Sequence, residues 1–138
     1  MSATAIGQPA VGERVVHKTF PPITRHTLAL YCGASGDHNP MHVDIDFAKD
    51  AGFPDVFSHG MLVMGYLGQA LTDAVAPSRI RSFSTRFAAI TQLGAKLTCE
   101  GTVTELFEDK GEKRAKIALT TKDQNGETKL AGEAIIAL

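Results

Sequence analysis

Residues 60–76, GMLVMGYLGQALTDAVA, decide how the rest of the chain must fold. Met61, Leu62, Val63, Met64, Tyr66, Leu67, Ala70, Leu71, Ala74 and Val75 leave almost no polar face, and a helix that is apolar all round is a buried one. Gly65 and Gly68 weaken such a helix but let other backbone approach it closely. After Pro77 the pattern turns to strand. Residues 79–90 alternate in part, and Leu93-Gly94 supplies a turn. Residues 96–107 set Leu97, Cys99, Gly101, Val103 and Glu105 on one face against Lys96, Thr98, Glu100, Thr102 and Thr104 on the other. Asp109-Lys110-Gly111 turns the chain into a strand over 113–122, and Asn125-Gly126 is a strong hairpin signal ahead of a last strand over 128–137. One buried helix followed by a meander of long strands predicts an α+β domain with an antiparallel sheet wrapped around the helix.

The upstream chain reads as the approach to that helix. Residues 13–20 (ERVVHKTF) form a strand candidate stopped by Pro21-Pro22. Thr24 is placed to cap a helix running to about Ala34, and Asp44 to cap a short one ended by Gly52. Residues 1–12, with Gly7, Pro9 and Gly12, read as a flexible lead-in to a single domain over 13–138. A net charge of -1 and a pI near 6.5 argue against nucleic-acid or general membrane-surface partners. The apolar run is broken by Gly65, Gly68, Gln69 and Asp73, so it is no transmembrane span, and the first ten residues lack the basic and apolar regions of a secretory signal. Cys32 and Cys99 fit neither a metal spacing nor a disulfide framework, which suits two buried, reduced thiols in a cytoplasmic protein.

Residues 36–42, GDHNPMH, carry the chemistry. Asp37 and His42 are five apart, so a regular strand would put them on opposite faces. Pro40 excludes a regular helix, lacking an N–H and driving Asn39 towards extended conformations. Gly36-Asp37 and Asn39-Pro40 are instead turn formers, and a looped backbone can aim two odd-spaced side chains at one cavity.

Tyr31, Gly36, Asp37, Asn39, Pro40, His42 and Ala48, with their spacing, resemble the hydratase motif of the MaoC-like dehydratases, the (R)-specific enoyl-CoA hydratase family. His59-Gly60-Met61 lies where that family opens its central helix. The similarity runs from about Gly12 to the C-terminus and is nearest the catalytic subunit of the (R)-3-hydroxyacyl-acyl-carrier-protein dehydratases. Met41 replaces the family's usual Leu, Ile or Val, and His38 falls at a variable position. The resemblance implies a single hot-dog fold, with the motif loop and its short helices inserted before the central helix. It also implies a two-hot-dog dimer with a tunnel near the interface, and a loop- or water-fixing role for Asn39.

Hydration of a 2-enoyl thioester needs a base for water at C3 and an acid for C2; dehydration runs the same path backwards. His42 suits water activation, and Asp37 suits holding that water and exchanging the second proton. A free N–H at the start of the buried helix, that of Gly60, suits the charge developing on the thioester oxygen. Met61 and Met64 are candidates for an acyl pocket, with core filling as their other role. His59 reads as structural, packing at the helix entrance or bonding a backbone carbonyl. A zinc site from His38, His42 and His59 is set aside: no HExxH or Cys-rich pattern accompanies it, and it would occupy His42. No cofactor is expected. His17 and His26 read as ordinary surface or partly buried residues.

Arg79, Arg81, Arg86 and Lys96 suit either coenzyme A phosphates, a carrier protein's acidic helices, or exposed strand faces. The expected partner is an acyl thioester of coenzyme A or acyl-carrier protein. The expected assembly is a homodimer, with a heterodimer with a related hot-dog chain as the other option. A non-catalytic acyl-binding or stabilising subunit is the alternative function, disfavoured by the intact Asp37 and His42. A hot-dog thioesterase would use a differently placed carboxylate.

Overall fold

Strands β1 (Arg14–Thr19), β2 (Ile80–Phe87), β3 (Thr98–Asp109), β4 (Glu112–Lys122) and β5 (Thr128–Ala137) form one antiparallel sheet in the order β1-β3-β4-β5-β2. The computed structural model describes residues 6–138. Helices α1 (Arg25–Ser35), α2 (Ile45–Asp50) and α3 (Gly60–Ala74) lie between β1 and β2 in the chain. The sheet curls around α3, whose Leu62, Val63, Leu67, Ala70 and Leu71 join Val16, Leu97, Cys99, Val103, Ile117, Leu119 and Ile136 in one core. This is the hot-dog arrangement. Each fully buried leucine contributes roughly 2 kcal/mol of transfer free energy, so helix and sheet hold each other in place.

Local chemistry explains most element ends. Thr24 caps α1 by accepting from the Thr27 N–H, and Asp44 caps α2 by accepting from the Asp46 and Phe47 N–H groups. Gly101 lies deep in the core because a Cβ there would come within 2.8 Å of both Ile117 Cγ2 and Leu119 Cδ2. Cys32 and Cys99 are both free and buried.

Four expectations are corrected. Helix α3 is not buried all round: Met61, Gly65, Gln69 and Asp73 are exposed, because the sheet of one chain covers only one side of it. The alternation in β3 fails after Val103, where the register against β4 shifts and leaves Glu105 exposed beside Lys116. Strand β2 stops at Phe87, and the chain runs on as an irregular segment to Gln92. Finally, the part of the lead-in over 6–12 is tied down: the Gly12 N–H donates to the Val103 carbonyl at 2.8 Å, and Arg79 Nη2 to the Ile6 carbonyl at 2.8 Å. The remainder of that lead-in, residues 1–5, lies outside the described residues.

Candidate active site

The loop between α1 and α2 is shaped by short-range bonds of its own side chains. Gly36 ends α1 at φ 76°, a left-handed conformation that glycine adopts without strain, and its N–H donates to the Cys32 carbonyl at 3.0 Å. Ser35 Oγ donates to the Tyr31 carbonyl at 2.6 Å and accepts from the Asp37 N–H at 3.1 Å. Asp37 Oδ1 accepts from the Asn39 N–H at 3.3 Å, and Asn39 Oδ1 from the Met41 N–H at 3.1 Å. These are successive Asx turns, and Asn39 caps the single 3-10 turn Pro40–His42. Their result is a division of exposure. Asp37 stays exposed, whereas His42 turns inward and is buried.

His42 Nδ1 lies 2.7 Å from the Phe57 carbonyl oxygen. A carbonyl can only accept, so Nδ1 carries the proton and neutral His42 presents Nε2 as a bare lone pair. The ring is fixed on two further sides, stacked on His59 at 3.8 Å between centroids and edge-on to Phe57 at 5.5 Å. One ring nitrogen each of His42 and His59 and a carboxylate oxygen of Asp37 lie within 4.8 Å of one another. That trio has the residue types of a metal centre, with Asp37 where the sequence suggested His38, which is exposed and outside the group. The stacked rings are only 28° from parallel, so their lone pairs run in neighbouring planes and do not converge as two ligands of one ion would. The geometry suits proton transfer better.

His59, only 1% exposed, does what a structural histidine would. Its Nε2 donates to the Asp37 carbonyl at 3.3 Å beside Cys32 Sγ at 3.4 Å, and its ring meets Tyr31 edge-on at 4.6 Å. Its Nδ1 is buried with no partner among the described residues. Burial, followed by the neighbouring His42, pushes His59 below its ordinary pKa. An uncharged ring also suits its place at the positive end of α3.

Gly60 is the first residue of α3, so its N–H has no partner within the helix. It borders a cavity of about 330 Å³ whose walls include Phe57, Val63, Phe87, Ala88, Ile90 and Leu130. Neither Met61 nor Met64 lines it: Met61 is 56% exposed, and Met64 packs against the core. Helix geometry accounts for this placement, because Gly60 and Val63 share a face while Met61 and Met64 lie about 100° further round. Of the four cations, Arg79 donates to the Ala137 and Ile6 carbonyls, and Arg81 pairs with Glu112. Arg86 and Lys96 are exposed.

Two parts of the site had no sequence signal. The Phe57 carbonyl, which sets the His42 tautomer, is a backbone group that every residue possesses. The cavity wall over 88–91 comes from the segment read as the end of a strand.

Fold and site together define a hot-dog protein with a hydratase-type loop. Residues 6–127 match the MaoC like domain, and the chain belongs to the MaoC-like dehydratase family. It is 33% identical over 116 residues to the (R)-specific enoyl-CoA hydratase of Rhodospirillum rubrum, covering 83% of this chain and 78% of that protein. It is 36% identical over 80 residues to the peroxisomal enoyl-CoA hydratase 2 of Arabidopsis thaliana, a match spanning 56% of this chain but only 26% of that longer protein. The solved structure of the R-hydratase PhaJ1 from Pseudomonas aeruginosa superposes with a TM-score of 0.82 at 29% identity, covering 94% of this chain and 82% of that one. Among the described residues, no helix is long and apolar enough to cross a membrane.

Proposed function

We propose that this chain catalyses the reversible syn hydration of a 2-enoyl thioester to the (R)-3-hydroxyacyl thioester. The observation that carries the reading is the His42 Nδ1–H bond to Phe57, which leaves Nε2 as a base on a ring with one nitrogen within 4.8 Å of an Asp37 carboxylate oxygen. In the hydration direction His42 Nε2 takes a proton from water as the oxygen bonds to C3. Asp37 holds that water, and once the enolate has formed the proton gained by His42 is relayed through the Asp37 carboxylate to C2, so that both groups end as they began. Asn39 keeps the loop in shape. The Gly60 N–H receives the enolate charge on the thioester oxygen, a contact of the kind worth about 3 kcal/mol in the barrier. Similarity to named enoyl-CoA hydratases supports a coenzyme A thioester as substrate.

The test is turnover of trans-2-enoyl-CoA by purified Asp37→Asn and His42→Ala. Each is expected to lose about 100- to 10,000-fold in kcat with the fold retained. The native protein is expected to give the (R) product. Near-native rates in either folded variant, or mainly (S) product, would remove the assignment.

The assembly proposed is a homodimer. Strands β1 and β2 are the unpaired edges of the sheet, and exposed edges are usually covered. Phe87, at the end of β2 and in the cavity wall, is half-exposed, as is Met61 beside Gly60 in the chain, and a second copy would cover such apolar surface. Light scattering on the isolated chain should give twice the chain mass together with activity. A monomer that is fully active would overturn the dimer, and an inactive chain rescued by a related hot-dog protein would replace it with a heterodimer.

A further inference from the structure

Lys129 is the largest side chain that is almost wholly buried, at 1% exposure, and the chemistry above does not use it. Its Nζ donates to the Ile90 carbonyl at 2.8 Å and to Gln92 Oε1 at 3.2 Å, and pairs with Glu127 and, at 3.5 Å, with Asp123. Its backbone carbonyl accepts from the Ala88 N–H at 2.9 Å. One residue of β5 therefore fastens both ends of the irregular segment 88–92, just where β2 has ended. Burying an ammonium costs desolvation that must be offset by its partners, and two of those partners, Ile90 and Gln92, lie in the segment just past the end of β2.

The fastened segment leads to the site. Gln92 forms an isolated antiparallel bridge with Phe57, and the Ser58 N–H donates to the Thr91 carbonyl at 2.8 Å. That bridge fixes the peptide whose carbonyl accepts from His42 Nδ1. We propose that Lys129 is a positioning residue for the reaction: by pinning segment 88–92 it holds the Phe57 carbonyl, and so keeps the His42 proton on Nδ1. Without the ammonium, Ile90 and Gln92 lose their donor, the bridge relaxes, and the His42 proton is free to move to Nε2. A ring protonated there cannot accept from water. The proposal rests on the reading of His42 as the base.

Lys129→Met is tested by the ring ¹⁵N NMR spectrum, with His42 identified by its loss in His42→Ala, and by steady-state kinetics on an enoyl-CoA. The native protein is expected to show neutral His42 protonated on Nδ1, and Lys129→Met a mixture of tautomers. Its kcat is expected to fall by roughly 10- to 100-fold, the scale of a misplacement of about 1 Å, with a smaller change in KM. A folded Lys129→Met with native tautomer and native kcat overturns the proposal. If Lys129→Met does not fold, Gln92→Ala decides, since Gln92 is exposed and its loss removes one of the two links. A partial tautomer shift with a several-fold lower kcat supports the link, and no change in either overturns it. Should His42→Ala remain active, the base assignment fails, while the tautomer spectrum still tests the link from Lys129 to His42.

Discussion

The loop at Asp37 and the hairpin at Asp123 begin with the same device. Each aspartate accepts from a backbone N–H two residues on, Asn39 at 3.3 Å in one and Asn125 at 2.9 Å in the other. Asp123 accepts again from the Glu127 N–H at 3.0 Å and turns its second oxygen to Lys129, so its carboxylate is only 10% exposed and fully engaged. Burial acts to raise the Asp123 pKa, and the Glu127 and Asn125 N–H groups with Lys129 outweigh it, leaving the group below its ordinary value. Asp37 is exposed, accepts only the Asn39 N–H through Oδ1, and has a carboxylate oxygen within 4.8 Å of a ring nitrogen of His42. Identical turn chemistry thus yields a fully engaged carboxylate in one place and, in the other, an exposed one open to the chemistry proposed for it. What decides is the oxygen that the turn does not use.

Asparagine at either position can retain the Oδ1 that makes the turn, while the second oxygen is replaced by an uncharged NH2 that donates instead of accepting. Asp37→Asn should keep its melting temperature while losing at least about 100-fold in kcat. Asp123→Asn should do the reverse. It weakens the pairing of a buried ammonium that still has Glu127, so unfolding by denaturant should show a loss of about 1–3 kcal/mol. Its kcat, measured well below the melting range, should fall less than about tenfold, as Lys129 still reaches Ile90 and Gln92. Equal kinetic losses in the two variants would erase the distinction between the loops.

The same contrast explains what could be read from the sequence. Thr24, Asp44 and Asn39 act on N–H groups two or three residues away, so their caps and turns are legible from spacing alone. The Asn125-Gly126 turn is legible for the same reason, and so is the meander. Lys129 was silent because a lysine in a strand reads as solvated, and its partners at Ile90 and Gln92 are almost forty residues away. The bulge after Val103 depends on how β3 meets β4, and the exposed side of α3 on what the sheet leaves uncovered. Side-chain roles that close within a turn were visible, and those that close across the fold were not.

The hairpin at Lys110-Gly111 separates buried charge from exposed charge, and there the smallest effect is expected. Glu112 accepts from Arg81 Nε and Nη2, both at 2.9 Å, and from Arg114 Nε at 2.8 Å, joining β2 to the β3–β4 turn at the protein surface. The hydrogen bonds from Arg81, then those from Arg114, hold its carboxyl below the ordinary 4.5, at about 2. Folding therefore favours the ionised form. The stabilisation is fully present above about pH 4.5 and is lost as the pH falls towards about 2. Glu112→Gln should lower the melting midpoint at neutral pH by only about 2 °C, since water and salt screen surface pairs. The gap from native protein should close as melts are repeated from pH 4.5 downwards, and it should also shrink in high salt. A gap that persisted unchanged at pH 2 would mean that Glu112 acts through packing, and the surface hairpin would then resemble the Asp123 hairpin after all.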